Sequence, residues 1–146
     1  MCHAFRHALG MLALLASAAA FAAPPIELSA GMHRIEAEVA SNNADRATGL
    51  MNRPTMPAHR GMLFVFPDAS VQCFWMKNTL IPLSIAFIDD SGRIVQIADM
   101  QPQSLDNHCS SKPVRFALEM NAGWFRSRGI AAGAKINGID KAPAAR

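Results

Sequence analysis

Beyond residue 22 this chain of 146 residues has no apolar run long enough to cross a bilayer as a helix, which takes about 20 residues. Lys and Arg form no cluster, and the net charge is only +3. Charge therefore offers no support for nucleic-acid binding. There is no G-x-S-x-G, no H-E-x-x-H and no phosphate loop, so no catalytic residue, metal ligand or cofactor is nominated from motifs. Internal repeats are absent, which excludes a solenoid. Cysteine is scarce: there are three, and Cys2 lies in the first few residues.

What is there begins with three parts that read as a secretory leader. Arg6, with His3 and His7, makes a basic start, Leu9 to Ala20 is apolar, and Ala20-Phe21-Ala22 fits the A-x-A cleavage pattern. Residues 1–22 are expected to be a signal peptide, and cleavage after Ala22 would leave a new start at Ala23-Pro24-Pro25. The alternative is an uncleaved anchor. Cleavage would remove Arg6, lower the charge by one, and deliver the chain to the periplasm or the exterior with no membrane span. Residues 23–146 then make one domain's length of chain, with its core over about 30–140, long enough to bury roughly 60–70% of its unfolded surface. Cys73 and Cys109 remain, an even pair in an oxidising compartment and so a disulfide candidate. A bridge would close a loop of about 36 residues, worth roughly 3–4 kcal/mol in the chain-entropy model. Two buried thiols are the alternative.

The patterning predicts mostly β structure. Pro24-Pro25 forbids a helix in an extended lead-in over 23–32. His33 to Ala40 alternates, with Ile35, Ala37 and Val39 on one side and Arg34, Glu36 and Glu38 on the other. Ser41-Asn42-Asn43 offers helix caps for two turns over Ala44 to Asn52, ended by Arg53-Pro54. Met62 to Phe66 reads as a buried strand, and Pro67-Asp68 as a turn. Val71 to Lys77 reads as a second, central strand, with Val71, Cys73 and Trp75 on one face and Phe74 and Met76 on the other. Ser84 to Ile88 and Arg93 to Ile97 flank Asp89-Asp90-Ser91-Gly92, a hairpin signal. Residues 101–113 form a long loop. Val114 to Met120 alternates, with Val114, Phe116, Leu118 and Met120 inward. Ala122 to Arg128 reads as a helical turn closed by Gly129, and Ala134 to Ile139 as a last strand before a frayed tail from Asp140. Short strands at turn-bounded intervals imply a compact β-sandwich or partly open barrel with one or two short helices, the first helix packed over an open end.

These words also carry a resemblance. "RATGLMNRP" at 46–54, "GMLFVF" at 61–66, "FWMKNTLIPL" at 74–83, "AFID" at 86–89 and "LEMNAG" at 118–123 occur in order, followed by Gly129 and Gly133. The chain resembles the domain-of-unknown-function 192 family over about residues 30–140. The resemblance implies a small exported β-rich domain and carries over no catalytic residues. Two positions depart from the family pattern: Ser84 stands where "PLD" is usual, and Ala134 where "GD" is usual.

The stretch Gly61 to Asp89 places polar Lys77-Asn78-Thr79 inside a core-like run. Trp75, Met76, Asn78 and Thr79 could seat a small polar ligand, with Met51 and Arg53 as a wall. The plain alternative is that Asn78 and Thr79 satisfy backbone groups at a strand end. Arg46 and Arg53 share a side of the helix, and with Glu119 they could lock helix to sheet or form an anion site. Met51, Met56, Met62 and Met76, with His33, His59 and His108, raise a copper-carrier reading, although their spacing is scattered and Met is a common core filler. Cys109 beside His108 gives no nucleophile–base geometry, because adjacent residues on an extended chain point apart. The reading is a periplasmic binding or accessory module for a small ligand or a periplasmic protein, with ligand-binding candidates Arg53, Trp75, Met76, Asn78, Thr79 and Glu119. An enzyme using the same polar patch, and the copper carrier, are the alternatives.

Overall fold

The computed structural model describes residues 23–146; the expected leader, 1–22, lies outside the described residues. The strands are β1 (Ile26–Ala30), β2 (His33–Ala40), β3 (Arg60–Ser70), β4 (Cys73–Phe74), β5 (Leu83–Ile88), β6 (Ile94–Met100), β7 (His108–Cys109), β8 (Val114–Asn121) and β9 (Ile136–Asn137), with one short α-helix, α1 (Asn43–Thr48), and 3-10 turns at Arg126–Arg128, where the helical turn closed by Gly129 was expected, and Ile139–Lys141. Seven strands form one sheet in the order β6-β5-β8-β3-β2-β1-β9, curled into a half-barrel, while β4 and β7 form a separate ribbon. Of the sandwich and the partly open barrel expected, the second is the form adopted. Pairing is antiparallel except between β2 and β3, which run parallel because the connection through α1 carries the chain back before β3 begins. The two edges meet at one end. Ile94 N donates to Ala134 O at 2.9 Å and Ile136 N to Gly92 O at 2.8 Å, while Ile136-Asn137 pairs with β1.

Both faces of the central strands are buried. On β3, Leu63 and Val65 enter one apolar cluster, and Met62 and Phe64 enter another. On β5 the same alternation sends Ala86 and Ile88 one way and Leu83, Ile85 and Phe87 the other. The first cluster fills the hollow of the half-barrel. The second lies on the opposite face under Leu50, Met76 and Ile81, which come from the irregular segments after α1 and β4.

Close approach of strands explains one glycine in the "GMLF" word. Gly61 pairs with Met120 across β3 and β8. A Cβ there would come within 2.5 Å of the Glu119 carbonyl oxygen and collide with the Met120 sulfur.

Several expectations are corrected. The lead-in contains a strand, β1, antiparallel to β2. The helix stops at Thr48 because Gly49, at φ 48°, caps it and donates to Asp45 O at 2.8 Å; it buries none of its own residues. Pro67-Asp68 does not turn the chain. β3 runs on to Ser70, but its ladder to β8 is interrupted between Val65 and Ser70, so the missing proline N–H breaks no strand pairing. Val71 to Lys77 is not a central strand: only Cys73 and Phe74 pair, with Cys109 and His108. Its two faces are alike in sequence yet not in surroundings, since Met76 is fully buried whereas Val71 and Trp75 are 55% and 47% exposed. The tail is held down. Arg146 N donates to Ser41 O at 2.7 Å, and Ala142 and Ala145 pack on the first cluster.

Candidate functional site

The ribbon and the loops around it form a cover over the second face. Cys73 and Cys109 face each other in register with their sulfurs at bonding distance, 2.08 Å, fastening β4 to β7. Ser110 N donates to Gln72 O at 2.8 Å, and Gln72 N to Ser110 Oγ at 3.1 Å. Beyond β4, the tight turn at 76–79 closes through Thr79 N to Met76 O, 3.0 Å. Three side-chain-bearing residues take left-handed backbone around this turn: Asn52 (φ 61°), Asn78 (φ 54°) and Gln103 (φ 64°). Asn tolerates that region; Gln does so at a cost. The turn accepts hydrogen bonds from two of them, Asn52 N to Asn78 O at 2.8 Å and Gln103 N to Thr79 O at 3.1 Å. Local strain is thus held by cross-loop bonds, as expected of a pre-shaped site.

Between cover and sheet lies a cavity of 210 Å³. Its walls include Phe64 and Phe66 from β3, Phe74 and Trp75 from the ribbon side, and Gly49 to Met51 after α1; Thr79 and Glu119 supply its polar groups, and Arg46 reaches it from α1. Four of the sequence words quoted above, from 46–54, 61–66, 74–83 and 118–123, therefore meet in one place. Phe74 stands nearly perpendicular to Phe64 (86°, centroids 4.9 Å apart) and to Phe66 (88°, 6.2 Å).

Glu119 is the unusual group. It lies on β8 opposite Met62 of β3 and Ile85 of β5, on the apolar second face, and is 4% exposed. Among the described residues its carboxyl accepts no side-chain or backbone hydrogen bond and forms no ion pair. Burial pushes its pKa up to about 8, so the carboxyl is mostly protonated at neutral pH.

The expected site residues separate. Trp75, Thr79 and Glu119 line the cavity. Met76 is core packing. Asn78 lends its backbone to the turn and is exposed, and Thr79 Oγ1 donates to Lys77 O at 3.2 Å. The Arg–Glu119 lock does not form. Arg53 makes a two-pronged pair with Glu38 on β2, including Nη2 to Oε2 at 2.7 Å. That pair holds the Glu38 carboxyl below its usual range, through the hydrogen bond from Arg53 first. Arg46 donates to Val65 O (2.8 Å), Asn43 Oδ1 (2.6 Å) and Arg146 O (3.3 Å), with its guanidinium 5.5 Å from the Phe66 ring centre. Phe64, Phe66 and Leu50 also form walls, and nothing in their own segments marks which face is covered. Among the described residues no three His, Cys, Asp or Glu side chains converge as a metal site. A larger cleft of 650 Å³ lies near the Asp90 turn and the tail, and none of the expected site residues lines it.

The family model for DUF192, described as "Uncharacterized ACR", matches residues 26–138. The chain belongs to this family. Among solved structures, a Sinorhizobium meliloti 1021 protein labelled a candidate transcription regulator is 34% identical, with a TM-score of 0.74 over 79% of this chain and 92% of its own. A Novosphingobium aromaticivorans DSM 12444 protein of unknown function is 30% identical, with a TM-score of 0.72 over 78% and 84%. The search among curated proteins finds no match. Among the described residues no helix is long and apolar enough to cross a membrane. The DUF192 fold is thus shared with both solved relatives at an identity that supports homology of the whole sheet.

Proposed function

We propose that this DUF192 domain is an exported small-molecule-binding or accessory module whose site is the cavity between the Cys73–Cys109 cover and the second face of the sheet. One observation carries the reading: a carboxyl that could have been a leucine is buried without a partner and lines a 210 Å³ cavity. Its oxygens open onto the cavity, whereas Trp124 Nε1 is, among the described residues, the one fully enclosed side-chain polar atom without a partner; a largely desolvated carboxyl still costs stability, and a ligand in the cavity would offset that cost. Apolar walls with one or two convergent polar groups are the usual make-up of a ligand pocket. The leader-like start and the paired cysteines support delivery to an oxidising compartment.

The label of the S. meliloti relative does not redirect this reading. Arg34, Arg53, Arg60 and Arg126 each face a carboxylate, and Lys and Arg form no cluster in the sequence that would make a nucleic-acid face. A thermal-shift screen of small metabolites tests the proposal. A true ligand at a hundred times its dissociation constant adds about 2.7 kcal/mol of stability, and the gain should be absent in Glu119→Ala. A ligand set that stabilises both proteins equally would move the site elsewhere.

A further inference from the structure

We propose that the cavity takes a small organic cation, an alkylammonium group seated between the aromatic walls with the Glu119 carboxylate as its counter-ion; this rests on the ligand-binding reading above. The walls are the first reason. Phe64, Phe66, Phe74 and Trp75 bring four aromatic rings to one small cavity, and Phe74 is set at right angles to Phe64 and Phe66. Phe74 meets both in edge-to-face contact, and aromatic walls around a cavity attract cations through the ring quadrupole. Two of these rings already do so within the chain: Arg46 lies over Phe66, and Lys77 Nζ lies 5.2 Å from the Trp75 ring centre. Phe64 and Phe74 are left as the rings with no cation recorded on them.

The second reason is the charge inventory around Glu119. β3 presents Met62 and Phe64, β5 presents Ile85, and the cover presents Phe74, Trp75 and Thr79, none of which carries a charge. Arg46 is the one charged side chain besides Glu119 lining the cavity; it donates to Val65 O, Asn43 Oδ1 and Arg146 O and makes no hydrogen bond or ion pair with Glu119. Burial raises the Glu119 pKa. A cationic ligand would supply the partner that the carboxyl lacks among the described residues. The volume, 210 Å³, is enough to seat a trimethylammonium or small primary ammonium group.

The linkage gives the test its sign. Glu119 must lose its proton to serve as counter-ion, so a cation of fixed charge should bind more tightly as pH rises toward about 8 and level off above it. A neutral ligand held by the protonated carboxyl as a hydrogen-bond donor would show the opposite slope. Titration calorimetry of the full chain uses choline and its neutral isostere 3,3-dimethylbutan-1-ol as probes, at pH 6, 7 and 9. The expected result is about a tenfold gain in choline affinity from pH 6 to 7, proton release on binding, and weak or no binding of the isostere. Glu119→Gln, which matches the protonated side chain in shape, should lose choline binding while keeping the wild-type circular dichroism. Equal binding of both probes, or tighter binding of the isostere at low pH, overturns the cation and leaves the pocket reading standing. Binding of neither at millimolar concentration also overturns the cation; the metabolite screen then decides the pocket reading separately. Should Glu119→Gln fail to fold, the pH slope of the wild-type protein is sufficient.

Discussion

The two faces of the half-barrel sheet are made by the same strands, one residue apart, and differ in what they tolerate. The inner face takes Leu63, Val65, Leu118 and Met120, all buried and all apolar. The outer face takes Met62, Phe64, Ala117 and then Glu119, under a cover built from loops and a two-residue ribbon. Regular strands pack against each other at crystal-like density. An irregular cover follows turn geometry instead, and it leaves space. Space is found on both sides, since the 650 Å³ cleft is lined by Val65, Phe116, Ile136 and Ile139 of the first cluster; the faces differ in that the outer one carries an energetically unfavourable carboxyl.

The largest effect expected is on the inner face. Leu118→Ala should cost about 2–5 kcal/mol in urea unfolding, because its site is walled by strands that cannot collapse. Leu50→Ala, on the edge of the existing cavity, should fall at the low end of that range. Equal costs would blur the difference between the faces. The cover should depend on its staple: Cys73→Ser with Cys109→Ser should lose roughly 3–4 kcal/mol on the chain-entropy model for a separation of 36 residues, and should loosen β4 and β7 in hydrogen exchange before the main sheet.

Glu119 sets a pH dependence of its own. Its folded pKa near 8 exceeds the unfolded value of about 4.3. The folded state therefore holds the extra proton between these values. Stability is fully present below pH 4 or so as far as this group is concerned, and declines as pH rises to about 8, at up to about 1.4 kcal/mol per pH unit. Glu119→Gln should flatten that slope in melts taken from pH 5 to 8. A wild-type slope of zero would mean the carboxyl is hydrated or paired.

The smallest effect belongs to the exposed side. Arg53→Ala should cost at most about 1 kcal/mol, since its pair with Glu38 is about one-third exposed and partly screened. The sign there is reversed. Glu38 has a lowered folded pKa, so the pair stabilises above the unfolded carboxylate range, and that contribution fades as pH falls through the folded value. Arg53→Ala and wild type should converge in acid.

Much of the sheet was legible from the chain alone. The alternation of His33 to Ala40 coincides with β2 residue for residue, and the Asp89-Asp90-Ser91-Gly92 signal does join β5 to β6, with Gly92 N bonded to Asp89 O at 3.0 Å. Period-two patterning and turn chemistry are local, so a single segment suffices to read them. The site was legible only in part. Trp75, Thr79 and Glu119 were picked for their chemistry, and all three line the cavity; Met76, Asn78 and Arg53 were picked on the same grounds and do not.

What residue order by itself determined was which side chains alternate, where the backbone must bend, and which two cysteines were available to meet. Which of two alternating faces would be wet was a tertiary decision. Glu119 reads as a solvent-side residue on β8, yet it is buried because segments some 40 to 75 positions earlier fold back over that face. Trp75 reads as core, yet it is half exposed because none of the described residues covers the outer side of this segment. Burial depends on what lies above a residue, and that is a property of chain segments far apart in sequence.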